Sequence, residues 1–247
     1  MPEYPVGATR TSARLVEALL DVEDAGVTEL ARELDLSKGA VHNHLVTLER
    51  LGVVVSSGGR YRLGLGFLDI GMAVRDRMPI YRAARPEVAG LADSTGESAS
   101  LVVPEHGKAV YADVHNADRN DRRIRLGTRL PLHASAGGKL LLADRSREAI
   151  AAYVANHGLT ERTDRTVETE AALRSELRSV TDRGLAFDRG EAFPGMRGVA
   201  APIRTDDGLV GALSVVGPRG RLSGKRLEED LPGLVLSAAK RIELDLS

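Results

Sequence analysis

The apolar positions of the first 63 residues recur with a helical period in three successive segments. The third segment is "LSKGAVHNHLVTLERLGVV", residues 36–54, and its apolar face consists of Val41, Leu45, Leu48 and Leu51. Ser37 is the predicted N-cap of this helix, and Gly52 follows its end. Two short strands around a Ser-Ser-Gly-Gly turn come next. Three helices followed by a hairpin predict a winged helix-turn-helix domain over residues 1–63.

The two preceding helices have predicted caps of their own, and Gly26 follows the end of the first. Thr11 or Ser12 is the predicted N-cap of the first helix, and Thr28 is that of the second.

After the hairpin, the pattern changes twice. The segment "LGLGFLDIGMAVRDRM", residues 63–78, places Leu65, Leu68 and Met72 on one stripe and predicts a linker helix, within residues 64–82, that ends at Pro79. Residues 83–247 alternate short strands with helices, with hairpins at Pro104–Lys108 and at an Asp-Asp-Gly turn. The last helix starts near Gly224, and Pro232 is expected to kink it or split it. The predicted fold class is therefore α+β, with two domains joined by a helix.

The polar face of the third helix has a composition that suits DNA. In a winged helix-turn-helix, the second helix of the pair enters the major groove and presents its N-terminal residues to base edges. A short Ser and a Gly at the helix start allow close approach to phosphate, Lys can pair with it, and His and Asn can bond base edges. Two arginines on the wing are candidates for the adjacent backbone. The predicted DNA-binding residues are Ser37, Lys38, Gly39, His42, Asn43, Thr47, Arg60 and Arg62.

Composition narrows the other possibilities. There is no Cys or Trp, only 3% of residues are aromatic, and the six His residues lack a metal-ligand spacing, so we predict no metal and no cofactor. No stretch resembles a signal peptide or a membrane span, so we expect a cytoplasmic protein that is not bound to a membrane. Residues 1–66 carry seven Lys and Arg against nine Asp and Glu. DNA binding must therefore depend on local geometry and not on net charge.

Longer segments of the chain resemble the isocitrate lyase regulator (IclR) family of transcription factors. In the first half these are "VTELARELDLSKGAVHNHLVTLERLGVV" and "YRLGLGFLDIG". In the second half they are "RLPLHASAGGKLLLA" and "RGLAFDRGEAFPGMRGVAAPIRTDDGLVGALSVVGP", followed by the amphipathic final helix. Asn43 stands where the family often has Arg, and His44 where it has an apolar residue, so the target DNA sequence is expected to differ.

The resemblance implies a C-terminal domain with a GAF-like fold that binds a small metabolite. Carried across by motif, the effector-binding residues are Leu130, Ala136, Gly137, Asp188, Met196, Gly198, Ser214 and Val216. Asp188 and Ser214 would orient the ligand in a largely apolar cavity. Gly198 replaces a frequent Cys and Val216 a frequent Ser, changes that remove polar contacts and, at Gly198, add room. The expected effector is therefore larger or less polar than a two- or three-carbon keto acid.

The sequence leaves two interpretations open both for the small residues before the predicted helix and for Asp188. The small residues from Ala134 to Gly138 either leave an anion site at a helix N-terminus or permit close packing of helix on sheet. Asp188 either contacts the effector or caps the turn "DRGEAF".

The sequence thus predicts a sequence-specific transcriptional regulator, a homodimer or a tetramer, whose affinity for double-stranded operator DNA is controlled by a small organic acid. One alternative is a ligand-sensing module whose winged helix contacts protein. Another is a hydrolase using Asp188, Ser214 and His133, but Ser214 lies within the strand "ALSVV" and not on a sharp turn. We therefore expect no catalytic residues.

Overall fold

The computed structural model describes residues 4–116 and 123–247. The chain divides into two compact units, Met1–Arg75 and Asp76–Ser247. This division falls inside the predicted linker of residues 64–82. Arg122, with which the predicted strand "RRIRLGTRLPL" starts, lies outside the described residues.

The first unit is a winged helix-turn-helix, as predicted. Its elements are α1 (Gly7–Leu20), β1 (Ala25–Gly26), α2 (Val27–Leu34), α3 (Lys38–Arg50), β2 (Val54–Ser57) and β3 (Arg60–Leu63). The strands form an antiparallel sheet in the order β1-β3-β2. The three helices and the sheet bury one apolar core, which includes Leu15, Leu30, Val41 and Leu45. This core holds α3 by its apolar face, so its polar face points outwards.

The predicted boundaries of the first two helices were wrong. Helix α1 starts four residues before Thr11, whose hydroxyl donates to the carbonyl of Gly7. Helix α2 starts at Val27, and the carboxylate of Glu29 accepts the backbone N–H of Gly26 in place of a cap at Thr28. In α1 the first N–H groups can bond to water, so the helix extends without a capping side chain.

Leu51 was predicted to lie on the apolar face of α3, but it is not buried. It is 68% exposed because it is the C-cap of α3, where the chain turns away from the core.

A helix of exposed apolar residues follows the wing. Helix α4 (Gly66–Asp76) contains no buried residue, and its exposed apolar side chains are Phe67, Leu68, Ile70, Met72 and Val74. The helix ends at Asp76 and not at Pro79. Instead, Pro79 starts α5 (Pro79–Thr95), because proline is well tolerated in the first turn of a helix.

The second unit has one antiparallel sheet at its centre. Its further elements are β4 (Ser98–Glu105), β5 (Lys108–His115), β6 (Arg129–Pro131), α6 (Ala136–Ala143), α7 (Arg147–His157), α8 (Glu170–Arg183), β7 (Ala186–Asp188), β8 (Met196–Thr205), β9 (Gly208–Pro218) and α9 (Leu231–Leu246). The strand order is β6-β5-β4-β9-β8-β7. A π-helical turn, Arg226–Asp230, leads directly into α9, whose first turn contains Pro232, so the last helix changes its hydrogen-bond pattern just before the proline but is not split.

Helices cover both faces of this sheet. Helices α5 and α9 bury one face over a core that includes Val88, Leu213 and Val235. Helix α6, backed by α8, lies against the other face over a second core that includes Leu140 and Leu173. This is the α+β architecture expected of a GAF-like domain. Within residues 4–116 and 123–247, no helix is both long and apolar enough to cross a membrane.

Candidate DNA-binding and effector-binding sites

The predicted recognition face of α3 is open to solvent along its whole length. Ser37, Lys38, Gly39, His42, Asn43 and Thr47 are all exposed. Ser37 is the N-cap, as predicted, and its Oγ accepts the N–H of Ala40 at 3.2 Å. The hydroxyl of Thr47 donates to the carbonyl of Asn43 at 2.8 Å, so towards DNA it can only accept a hydrogen bond, while its methyl group can contact a thymine methyl. The amide of Asn43 and the ammonium of Lys38 remain available to a partner.

The two wing arginines differ in their environment. Arg60 donates from Nε to Asp24 and forms an ion pair with Glu29, from NH2 to Oε2 at 3.1 Å. These two carboxylates raise the pKa of Arg60. The same contacts link β3 to the start of α2. Arg62 is exposed, and among the described residues its guanidinium group hydrogen-bonds only to the carbonyl of Leu63. Arg62 is therefore the wing arginine better placed to contact phosphate, and the prediction for Arg60 loses support.

His44 belongs to the structure of the domain. Its Nδ1 lies 2.9 Å from the hydroxyl of Ser12 on α1, and its side chain is half-buried. Ser12 thus joins α1 to α3 and does not cap α1.

The eight predicted effector residues are all buried, and the strand residues among them lie on the face covered by α6. Gly198 of β8 pairs with Asp188 of β7 on one side and Val216 of β9 on the other. Ser214 precedes Val216 by two positions and Met196 precedes Gly198 by two, so both share that face. Ala136 and Gly137 form the first turn of α6. Leu130 lies on edge strand β6, three strands from β9, which is about 14 Å away.

The glycines of this region are explained by close packing. A Cβ on Gly137 would lie 3.1 Å from the Val102 side chain of β4, and one on Gly138 only 2.4 Å from the carbonyl oxygen of Leu132. This favours helix–sheet packing as the reason for the small residues. A Cβ on Gly198 would lie 2.8 Å from a methyl group of Val216. The expectation that Gly198 adds room is therefore wrong, because Val216 fills the space.

Asp188 does cap a turn. Its Oδ1 accepts the N–H groups of Gly190 at 2.9 Å and Glu191 at 2.8 Å. Burial and the neighbouring Glu191 raise the pKa of Asp188 to about 7. The interpretation of Asp188 as a turn cap is therefore supported, and it uses only one of the two carboxylate oxygens.

A fully buried lysine lies behind this turn. The Nζ of Lys139 on α6 lies 2.9 Å from Oε1 of Glu191 and 2.9 Å from Oε1 of Glu176 on α8. Burial alone would lower the pKa of Lys139, but the two glutamates raise it overall. Likewise, burial would raise the pKa of Glu191, but Lys139 holds it below the ordinary value. One cation therefore ties together α6, α8 and the loop after β7.

Sequence reasoning missed two polar residues on this face. Ser100 of β4 pairs directly with Ser214 of β9, and both are at least 97% buried. The two side chains therefore lie next to each other on this face of the sheet. Tyr111 of β5 is also buried, which raises the pKa of its hydroxyl. The alternation of β4 and β5 could have placed Ser100 and Tyr111 on this face.

No hydrolase triad forms. Nδ1 of His133 is 2.8 Å from the Tyr153 hydroxyl and Nε2 is 3.1 Å from the carbonyl of Thr160, so both ring nitrogens have partners other than Asp188 and Ser214. Among the described residues, no group of three or more His, Asp or Glu could hold a metal ion.

A winged helix-turn-helix with an outward-facing recognition helix, followed in the same chain by an α+β unit, is the architecture of a DNA-binding regulator. The comparisons identify its family. The family description "Bacterial transcriptional regulator IclR C-terminal" matches residues 72–244, and "IclR helix-turn-helix domain" matches residues 12–58. The chain belongs to the IclR family of DNA-binding transcriptional regulators.

Individual relatives agree with this. The chain is 31% identical over 245 residues to a probable transcriptional regulator, ArcR, of Halobacterium salinarum, a match that covers 95% of this chain and 92% of ArcR. A transcriptional regulator from Rhodococcus sp. RHA1 shares its structure with a TM-score of 0.84 and 27% identity, over 98% of each chain. An IclR homologue from Microbacterium hydrocarbonoxydans, solved in complex with 4-hydroxybenzoate, has a TM-score of 0.82 at 24% identity and covers 97% of this chain and 98% of its own.

Proposed function

We propose that this regulator binds an operator in the cytoplasm through α3 and that an organic acid bound in the second unit controls its affinity. The observation that carries the DNA-binding part is the α3 face on which Lys38, His42 and Asn43 are exposed while the opposite face is buried. A helix held in this way presents side chains of fixed direction to the major groove.

The base contact is assigned to Asn43 and a phosphate contact to Lys38. Asparagine can bond adenine with both its donor and its acceptor, whereas lysine contacts phosphate as a charge. The neighbouring His42 can supply a further bond to a base edge. Arg62 on the wing would add a second phosphate contact.

Removing the ammonium group of Lys38 and the amide of Asn43 is expected to weaken specific binding by about 100-fold or more, because one phosphate contact and one base contact are lost together. Fluorescence anisotropy would compare the parent with the Lys38→Ala/Asn43→Ala variant, using duplex DNA from upstream of the protein's own gene over a salt series. Binding by the parent should fall steeply with salt, with two protomers per site.

The matched control is Lys225→Ala/Asn156→Ala, which removes the same residue types from exposed positions of the second unit. This control should bind like the parent. If the parent bound no DNA more tightly than random duplexes, including after selection from a randomised pool, the interaction-module alternative would replace this proposal.

A second copy of the chain is the proposed occupant of the exposed apolar side of α4. Five large apolar side chains on an eleven-residue helix form a surface that isolated proteins rarely expose. Dimers place two recognition helices on the two halves of a near-palindromic site. The homodimer, or a tetramer built from two dimers, is therefore part of the proposal, and the two-to-one stoichiometry on DNA tests it.

The effector is proposed to be a carboxylic acid with an apolar body. Ser100 and Ser214 offer hydroxyl groups, while Val216, Met196 and Leu130 are apolar. The filled space beside Gly198 removes the argument for a larger ligand but leaves the argument for a less polar one. The Microbacterium homologue with 4-hydroxybenzoate is in keeping with this chemistry.

Isothermal titration calorimetry with benzoate, 4-hydroxybenzoate, pyruvate and glyoxylate is expected to rank the aromatic acids first. Ser214→Ala should weaken their binding by about 5- to 10-fold, the effect of one hydrogen bond, whereas exposed Ser223→Ala should not. Tightest binding of pyruvate or glyoxylate would contradict the proposed effector class.

Catalysis forms no part of the proposal. The homologues are transcriptional regulators, and the hydroxyl of Ser214 has no histidine partner among the described residues.

A further inference from the structure

A cleft of the second unit lies between α7 and α8, where it also meets the end of α6. Its volume is about 550 Å³. Small-molecule sites typically enclose about 300–1,000 Å³, so the cleft can hold a ligand of ordinary metabolite size. None of its described lining residues is one of the eight proposed effector residues. The cleft is therefore a separate candidate site.

The floor of the cleft is apolar. Ile150 of α7 and Leu177 of α8 line it and are both buried, and Ala143 at the end of α6 packs against the same core. Because these side chains belong to the packed core, the floor keeps its shape without a ligand. It can therefore cover the apolar body of a bound molecule.

Arg174 fixes the two helices that form the walls. Its Nε and NH2 donate to Oε1 of Glu170 at 2.8 Å and 2.6 Å, and NH2 also donates at 3.0 Å to the carbonyl of Arg147, the first residue of α7. One guanidinium group thus joins α8 to the start of α7. Its charge is already balanced by Glu170.

Two further arginines line the cleft with their guanidinium groups unpaired. Arg147 lies on α7 and Arg178 on α8, and both are exposed. Neither guanidinium group forms a hydrogen bond or an ion pair with any residue in the part of the chain that the structure describes. Two five-donor groups from different helices therefore face one cleft.

The acidic residues around the cleft leave these two cations available. Asp144, just after α6, pairs with Arg204 at 2.8 Å. Glu148 lies in the first turn of α7 but is not among the described lining residues. Asp182 is the acidic residue of the described lining, and it is exposed and makes no ion pair with a described residue. Asp182 should therefore weaken the binding of an anion without blocking it.

We propose that this cleft binds a phosphate monoester with an apolar body. The phosphate group contacts Arg147 and Arg178, and the body lies on Ile150 and Leu177. A guanidinium group bonds two oxygens of an anion at once. A carboxylate has only two oxygens, which one arginine can occupy, whereas the three terminal oxygens of a phosphate monoester can serve both arginines.

The test is isothermal titration calorimetry of the full-length chain with phenyl phosphate and with inorganic phosphate. We expect one molecule of phenyl phosphate per chain. Inorganic phosphate has the same charged group without the apolar body, so it should bind at least about tenfold more weakly, because it buries no apolar surface on the floor.

Arg147→Gln/Arg178→Gln should weaken the binding of phenyl phosphate by about tenfold or more, because two charge-assisted contacts are lost. The matched control is Arg85→Gln/Arg219→Gln, which removes the same charge from exposed positions of the second unit and should bind like the parent. Asp182→Asn should act in the opposite direction and tighten binding by up to about fivefold, since it removes a repelling charge.

Three results would overturn the inference. The first is no binding of phenyl phosphate by the parent, or binding no tighter than that of inorganic phosphate. The second is equal weakening by the two double variants, which would mean that only net charge attracts the ligand. The third is binding that Ser214→Ala abolishes and Arg147→Gln/Arg178→Gln leaves unchanged, which would place phenyl phosphate in the proposed effector site.

Discussion

Lys139→Met is expected to destabilise the second unit by about 3–5 kcal/mol, because it leaves the buried carboxylate of Glu191 without its cation. Methionine has a side chain of similar length, so packing is largely kept and the loss reports on charge. The same change removes the ionic links from α6 to α8 and to the loop after β7. Urea unfolding followed by circular dichroism would measure the free energy of unfolding.

Two comparisons make that measurement specific. Lys240 pairs with Glu243 on the surface and its side chain is 70% exposed, so Lys240→Met should change stability by less than about 1 kcal/mol. Adding Glu191→Gln to Lys139→Met should recover part of the loss, because the unpaired buried charge is removed. Equal effects of Lys139→Met and Lys240→Met would mean that the buried ion cluster contributes little.

Gly138→Ala is expected to destabilise the same unit by about 1–3 kcal/mol, although alanine normally favours a helix over glycine. The new Cβ would lie 2.4 Å from the carbonyl oxygen and 2.8 Å from the Cα of Leu132, which are backbone atoms that cannot rotate away. Helix α6 would have to shift, and with it Ala136 and Gly137 at the proposed effector site. Both unfolding and benzoate binding should therefore weaken.

Gly90→Ala, in the same unit, is expected to raise the free energy of unfolding instead of lowering it. Gly90 lies within α5, and a Cβ there would meet nothing within 4 Å. This variant should gain up to about 1 kcal/mol from helix propensity alone. If Gly138→Ala behaved like Gly90→Ala, the close approach of α6 to Leu132 would be refuted.

Local signals in the sequence predicted the recognition helix well. Ser37, the apolar repeat from Val41 to Leu48, and Gly52 each act on their immediate neighbours, and all three take the predicted places. The cap positions of α1 and α2 could not be predicted in the same way. A helix can extend past Thr11 or Thr28 when tertiary packing supports it, and the hydroxyl is then used elsewhere.

The second unit was harder to predict from the sequence, because its key contacts join residues that are far apart in the chain. The motif resemblance placed eight residues, and the structure brings the strand residues among them to one face of the sheet. The bond from Lys139 to Glu176 and Glu191 joins residues 37 and 52 positions apart, so no local pattern reveals it. A single lysine inside the apolar run "AGGKLLLA" was nevertheless a usable signal, since a buried lysine requires a partner. The Ser100–Ser214 pair likewise depends on a strand pairing that only the fold establishes.

The central pairing of β4 with β9 has a consequence for synthesis on the ribosome. The chain must grow more than 100 residues beyond β4 before β9 can emerge to complete the middle of the sheet. Until then the β4–β5 hairpin has an unpaired inner edge, which is a site for aggregation or chaperone binding. The winged domain needs only contacts within its own residues and can be complete while the rest is still being made. If the ribosome stalled after the winged domain had folded and before β9 had been made, the nascent chain would carry a folded DNA-binding domain without the domain proposed to control it.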